Sequence, residues 1–251
     1  MAIKADRLQL FGEALTFIRN HLAAIVSPGT PIKMLSLGYV DFLATKSDLA
    51  AAFGEAVADA VPERPNSERV AAWHKSTSPV IESDCLYRAL GFEPHYLDIA
   101  QIRGKEIIQD LNQPLAPELR GAFDFVLDSG TLEHCFNVAQ GVANVASAVR
   151  VGGIVYHANP LLAINHGFYN FSPAFYHDFY RANGFEILKM YGVDADPIGF
   201  FLLDGVKRLL LPDARERTIE VIARKIEDRP TAWPMQTKYV RNPNLLGREP
   251  Q

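Results

Sequence analysis

The sequence predicts an α/β fold built on a mostly parallel, doubly wound sheet. Short apolar segments alternate with amphipathic helical segments along most of the chain, the rhythm of strands joined by helical crossovers. Three of those apolar segments end in aspartate, and no internal repeat or low-complexity tract interrupts the pattern. A chain of 251 residues suits one large domain, or one domain carrying an insertion.

Taken in order, Asp6–Val26 reads as a helix, with Phe11, Ala14, Leu15, Ile18, Leu22, Ile25 and Val26 on one face. Ser27-Pro28-Gly29 stops it. Ile32–Gly38 is the first buried strand. Between Tyr39 and Glu93 the rhythm blurs. Asp48–Ala60 reads as a helix opened by Ser47 or Asp48, Pro62–Ser67 as a loop, and Ser83–Leu90 as a helix closed by Gly91. More than 50 residues separate the first strand from the next, His95–Asp98. An insertion at about 48–82 follows, near the strand end where such folds place ligands. A lid, a substrate wall and a passive surface excursion all fit it.

The later beats are clearer. Lys105–Asp110 and Phe123–Asp128 are strands. Val138, Val142, Val145 and Val149 stripe a helix that ends at Arg150-Val151-Gly152-Gly153, and Ile154–Ala158 is a strand. Ser172-Pro173 opens a helix in the favoured arrangement, with Phe175, Phe179 and Ala182 inward and Asn183-Gly184 closing it. Phe185–Met190 and Thr218–Lys225 are the last strands. Residues 1–228 then form the domain. The tail 229–251, with Pro230, Pro234, Pro243 and Pro250, is expected to be extended or disordered, or to serve as an oligomer arm.

Composition narrows the function. With 25 basic against 29 acidic residues and a net charge of −4, a strongly basic nucleic-acid surface is not expected. Two cysteines, Cys85 and Cys135, make neither a disulfide framework nor an all-cysteine zinc site, so a reducing, cytoplasmic setting is the default. No apolar run approaches the roughly 20 residues of a membrane span. The charged N-terminal stretch lacks the apolar centre of a signal peptide.

In a parallel sheet Asp98, Asp110 and Asp128 would emerge along the ligand-binding edge. Carboxylates there accept hydrogen bonds from ribose hydroxyls, an exocyclic amine or an ammonium group, which points to a nucleoside-like ligand; one such aspartate is also a common helix N-cap. The dinucleotide pattern G-x-G-x-x-G is absent, since Leu35–Asp41 holds the single Gly38 and Asp98 comes 60 residues later. No phosphate-binding G-x-x-x-x-G-K-[ST] occurs either.

From Lys33 to Lys225 the order of features resembles class I S-adenosylmethionine-dependent methyltransferases. FDFVLDSGTLEHCFNVAQGVANVASAVRVGGIVYHANP is similar to that family's fourth strand, following helix and Gly-Gly-led fifth strand. SPAFYHDFYRANGFEILKM and IEVIARK are similar to its closing helix and last two strands. The resemblance implies a Rossmann-like, seven-stranded sheet whose final strand is antiparallel, with the cofactor beyond the first strands' C-terminal ends. It implies Gly38 as the first glycine of the cofactor loop and Asp98 as the ribose-contacting acid. Asp110 would lie beside the adenine amine, and Asp128 near the methionine moiety and substrate. Ser36 stands where an acid usually sits, and Val40 and Phe42 replace later glycines, each adding a side chain where backbone normally approaches the cofactor.

Methyl transfer needs an aligned nucleophile and, for some acceptors, a base. His134, shortly after the fourth strand, is one candidate, although Glu133-His134 also reads as a polar helix start. The segment Asn165–Phe171 supplies His166 as a second base, with Asn165, Phe168 and Tyr169 as walls for a small polar substrate; such aromatics also plug cores. His157 and His177 read as structural, and Trp73-His74 could cover the pocket. No metal is expected, for no H-E-x-x-H, cysteine cluster or EF-hand loop occurs, and Asp194 with Asp196 reads as a solvated pair. Asp128-Ser129-Gly130-Thr131 is not a hydrolase elbow.

The expected activity is methyl transfer from S-adenosylmethionine to a hydroxyl or amine of a small polar metabolite, a sugar or natural-product intermediate. Neither a nucleic acid nor a membrane is an expected partner, and a homo-oligomer stays open. One rival is a non-catalytic scaffold whose pocket is filled by Tyr39, Val40 or Phe42. Another is a nucleotide enzyme, for which Lys46 and Lys75 are the only nearby cations before Arg103.

Overall fold

Every residue of the first central strand except Lys33 is buried, as a strand covered on both faces requires. The computed structural model describes residues 2–68, 71, 74–195, 198–207, 210, 211, 213–242 and 244. Within them the chain forms two units, Met1–Asp110 with Phe123–Ser129, and Leu111–Ala122 with Gly130–Gln251.

The first unit opens with β1 (Ala2–Lys4) and helix α1 (Ala5–Leu22), whose buried face includes Leu8, Phe11, Leu15, Ile18 and Leu22. The helix ends before Ile25 and Val26, short of the expected Val26. Strand β2 (Ile32–Leu37) follows. Next come β3 (Asp41–Leu43), helices α2 (Lys46–Phe53) and α3 (Glu55–Ala60), β4 (Glu63–Arg64), β5 (Val80–Ile81) and helix α4 (Ser83–Ala89). Strands β6 (Phe92–Asp98), β7 (Glu106–Ile108) and β8 (Phe123–Asp128) complete the unit. β2 pairs in parallel with β6 and with β8, and β6 in parallel with β7. The order β8-β2-β6-β7, parallel at each pairing, with α1 leading into β2 and α2, α3 and α4 between β2 and β6, is an α/β, Rossmann-like arrangement.

The region expected as an insertion is more ordered than its composition implied. The single helix expected over Asp48–Ala60 is two, broken at Gly54, whose φ of +89° suits only glycine. A capping box at Thr45 and Asp48 starts the first. Pro62–Ser67, expected as loop, contains β4. Strands β1, β3, β5 and β4 form a small sheet in that order, with β1 parallel to β3 and the other pairs antiparallel. It is anchored by Phe42, whose ring lies 5.6 Å from Phe11 and 5.7 Å from Tyr87. The aromatic chain continues through Phe92 to Phe125.

Tyr87 is fully buried and its hydroxyl has no hydrogen-bond partner among the described residues. Tyr87→Phe removes that uncompensated polar atom and keeps the ring, so it is expected to raise stability by about 1 kcal/mol. Urea unfolding should show a higher midpoint at an unchanged slope. A lowered midpoint would mean that the hydroxyl has a partner in solution.

The second unit contains helix α5 (Val138–Ala148), β9 (Val149–Leu162), helix α6 (Pro173–Ala182), β10 (Phe185–Asp194), β11 (Gly199–Leu202), β12 (Arg217–Lys225) and the short helix α7 (Thr237–Val240). Its strands run in the order β11-β10-β12-β9, antiparallel at each pairing. β9 and β10 extend well beyond the expected Ile154–Ala158 and Phe185–Met190, and β11 is an unforeseen edge strand.

Three buried polar side chains tie this unit together. Asn144 accepts from Leu115 N and donates to the carbonyls of Leu111 and Gln113. Lys225 Nζ donates to the carbonyls of Ala146 and Val149 and pairs with Asp228. Arg217 bridges Asp194 and Asp213. Asp194 is therefore an ion-pair partner within β10 and not a solvated loop acid; Asp196 lies outside the described residues.

The start of the tail is docked on α6 and its closing residue Asn183. Asn183 exchanges hydrogen bonds with Ala232, Trp233 lies against Phe179, and Asp178 receives Thr237 at the start of α7. Pro243 and Pro250 lie outside the described residues. No helix among the described residues is long and apolar enough to cross a membrane.

Candidate functional site

In the first unit the parallel registers set Leu37 opposite Leu97 and Ser36 opposite Leu127. Gly38 and Asp98 therefore emerge level with each other at one sheet edge, and Asp128 one residue short of them, level with Leu37. Asp98 stands opposite Ile108, and Asp110 follows two residues beyond β7. The expected cofactor residues are thus brought together. Asp128 is fully buried, whereas Asp98 and Asp110 are half-buried. The Asp98 carboxylate accepts from Ala100 N at 3.2 Å.

Gly38 turns the chain at φ +80° and donates its N–H to Leu97 O at 2.7 Å. The buried Ser36 hydroxyl donates to Gly38 O at 2.8 Å, bracing the turn from the position where an acid was looked for. Of Val40 and Phe42, the second packs its ring against Phe11 and Tyr87. Both are fully buried, because the chain after Gly38 enters β3 and packs its side chains into the core.

Tyr39 alone of the three stays half-exposed. Its ring leans on Tyr96 at 4.5 Å, the Arg103 guanidinium lies 4.3 Å over it, and its hydroxyl donates to Glu82. Burial, then the Glu82 contact, raises the Tyr39 pKa well above the ordinary value. Arg103 also pairs with the buried Asp41, which meets His74 Nε2 at 3.2 Å. Burial pushes the His74 pKa down. Arg103, which the sequence offered only as a cation beyond Lys46 and Lys75 for a nucleotide ligand, clasps this loop through Tyr39 and Asp41. Trp73 lies outside the described residues. An open depression of about 460 Å³ lies elsewhere, lined by Lys46, Ser47, Ala50, Ala51, Glu55, Ala58 and Asp59. None of these belongs to the aspartate edge.

A second constellation lies in the second unit. Leu132–His134 is a single 3-10 turn that turns Glu133 inward, fully buried, and leaves His134 outside. After β9 the loop bends through Asn165, at φ +60°, and carries His166 back over Glu133. Phe168 N donates to Glu133 O at 2.8 Å. Gly167 lies so close that a Cβ there would meet Glu133 O at 2.8 Å and Cγ at 2.9 Å.

As a result Glu133 Oε1 lies 3.5 Å from His166 Nε2 and 4.0 Å from His134 Nε2. Its Oε2 accepts from Asn159 Nδ2 at 3.0 Å, and Asn159 Oδ1 accepts from the Tyr176 hydroxyl at 2.6 Å. Beside this stand two exposed rings, Phe136 and Phe168, edge to face at 5.5 Å. The Tyr169 hydroxyl donates to Phe136 O at 2.7 Å, and so braces the loop.

The sequence singled out His134, His166, Asn165, Phe168 and Tyr169, and the fold gathers them. It missed Glu133 as their common neighbour. His157 is buried against the Tyr180 hydroxyl at 2.6 Å, and His177 meets Asp178 at 2.7 Å.

No family model and no curated protein sequence matches the chain. Among solved structures it is similar to 1,6-didemethyltoxoflavin-N1-methyltransferase of Burkholderia thailandensis, solved with 1,6-didemethyltoxoflavin and S-adenosylhomocysteine. That match has 14% identity over 89% of this chain and 79% of the other, at a TM-score of 0.44. It is also similar to the DszA carbon methyltransferase, at 12% identity, 88% and 54% coverage and a TM-score of 0.48, so it spans about half of that chain. A third is the [4+2]-cyclase SpnF, at 11% identity, 85% and 80% coverage and a TM-score of 0.40. The α/β, Rossmann-like fold of this chain rests on its own strand order and registers.

Proposed function

We propose that this chain is an S-adenosylmethionine-dependent methyltransferase acting in the cytoplasm on a hydroxyl or amine of a small polar metabolite. The observation that carries the reading is the common sheet edge of Gly38, Asp98 and Asp128, within one residue of the same level, with Asp110 one strand further out. A glycine turn with carboxylates at successive strand ends fits a nucleoside with a cationic group better than a phosphate-bearing ligand, since those carboxylates would repel phosphate.

The bound cofactor supplies an electrophilic methyl group on a sulfonium. In this reading Asp98 accepts hydrogen bonds from the ribose hydroxyls and Asp110 from the adenine amine. Asp128, buried, favours the cationic methionine end electrostatically.

Calorimetric titration of S-adenosylmethionine and S-adenosylhomocysteine tests this. Micromolar binding is expected, weakened about 10- to 100-fold in Asp98→Ala, the loss of hydrogen bonds to a charged group. No heat and no thermal stabilisation at millimolar cofactor would reject it. That outcome would favour a binding protein in which the clasp of Tyr39, Arg103 and Asp41 closes the loop.

A further inference from the structure

We propose that Glu133, His134 and His166 hold one divalent transition-metal ion of the zinc class, with a coordination position open to solvent. This goes beyond the methyl-transfer reading and stands whether or not the chain binds S-adenosylmethionine. One ligand atom from each residue lies within 4.8 Å of the others. Around a tetrahedral zinc with bonds of about 2.0–2.1 Å, ligand atoms sit roughly 3.3 Å apart. The 3.5 Å between Glu133 Oε1 and His166 Nε2 is already close to that, and the 4.0 Å to His134 Nε2 needs only a small closing movement. Both imidazoles can make it, because their side chains are more than half exposed.

The carboxylate, in contrast, is fixed. Asn159 holds its other oxygen and Tyr176 holds Asn159, both fully buried. An outer layer of this kind orients a metal-binding carboxylate and raises affinity. Two imidazoles with one carboxylate select zinc, cobalt or nickel over calcium and magnesium, which prefer all-oxygen sets. Two other acid–histidine contacts among the described residues involve a buried acid: Asp41 with His74 already has the Arg103 guanidinium on the same carboxylate, where a metal ion would be repelled, and Asp178 with His177 already receives the backbone N–H and hydroxyl of Thr237. Three protein ligands leave a fourth position, and the exposed flank of the two histidines, beside Phe136 and Phe168, is where a water or an oxygen ligand would enter.

The test uses the full chain, stripped of metal with a chelator and dialysed. Zinc is titrated by calorimetry and cobalt by visible absorption. One equivalent of zinc should bind in the micromolar range or tighter, and cobalt should show the intense visible bands of a low-coordinate site. His134→Ala and His166→Ala should each weaken zinc binding at least tenfold; both side chains are exposed, so circular dichroism should show both variants folded. Asn159→Ala should cost a further 10- to 100-fold through the loosened carboxylate. The proposal is overturned by absence of binding at millimolar zinc, or by binding that survives in the double variant of His134 and His166.

Discussion

Arg217→Met is expected to destabilise the chain by about 3 kcal/mol, the low end for removing one partner of a buried ion pair. The Arg217 side chain is 2% exposed and donates to Asp194 at 2.6 Å, to Asp213 Oδ1 at 2.6 Å and to Asp213 O at 2.9 Å. Methionine preserves much of the volume and none of these bonds. The low end applies because Asp194 and Asp213 keep 22% and 36% side-chain exposure, so water can reach the abandoned carboxylates.

The loss should depend on pH in a defined direction. Hydrogen bonds from Arg215 and then Arg217 hold the Asp213 pKa at about 2, below its ordinary value of 3.8. A group with a depressed folded-state pKa stabilises above its unfolded value and loses that contribution as pH falls through the folded one. Urea unfolding of parent and variant should therefore show a gap that is full at pH 7 and narrows between about pH 4 and pH 2. An equal gap at pH 2.5 would remove Asp213 from the account.

Asn144→Ala is the second large effect, also expected to cost about 3 kcal/mol, since it orphans three backbone groups at about 1 kcal/mol each. The 2% exposed Asn144 accepts from Leu115 N at 2.9 Å and donates to Leu111 O at 3.1 Å and Gln113 O at 2.8 Å. Leu111 and Leu115 are themselves buried, so water reaches the freed groups poorly. Hydrogen exchange of the Leu115 amide should accelerate more than exchange in β12. Uniform acceleration would instead mean that the side chain supports the whole unit and not this segment.

The parts of the fold written in periodicity and punctuation were legible. Phe123–Asp128 has the bounds read from its apolar run, and α6 begins at Pro173 as the Ser-Pro pair indicated. The small sheet was not, because its strands are two or three residues long and their partners lie far apart in sequence. Gly54 was visible as a glycine, but alanines on both sides hid the break. At the aspartate edge, residue identity sufficed: a strand that ends in a carboxylate delivers it to a predictable level once the sheet is parallel. At Val40 and Phe42 the sequence showed two added side chains but not their burial, which depends on the strand β3. The two exposed histidines were picked out singly; Glu133 was not, because its meeting with them depends on the left-handed bend at Asn165 and the contact at Gly167, which no local pattern announces.

The contact between Gly167 and Glu133 also constrains how this sequence can change over generations. With a backbone oxygen 2.8 Å from where a Cβ would stand, any side chain at position 167 must push the loop away from Glu133. An allele that fills position 167 would therefore relax selection on His166, and one that replaces Glu133 would remove the reason to keep position 167 bare. Among descendants of this chain, glycine at 167, histidine at 166 and glutamate at 133 should be inherited or abandoned as a set. Substitutions on the outer edge of β11, where Leu202 is almost fully exposed, should drift independently of all three.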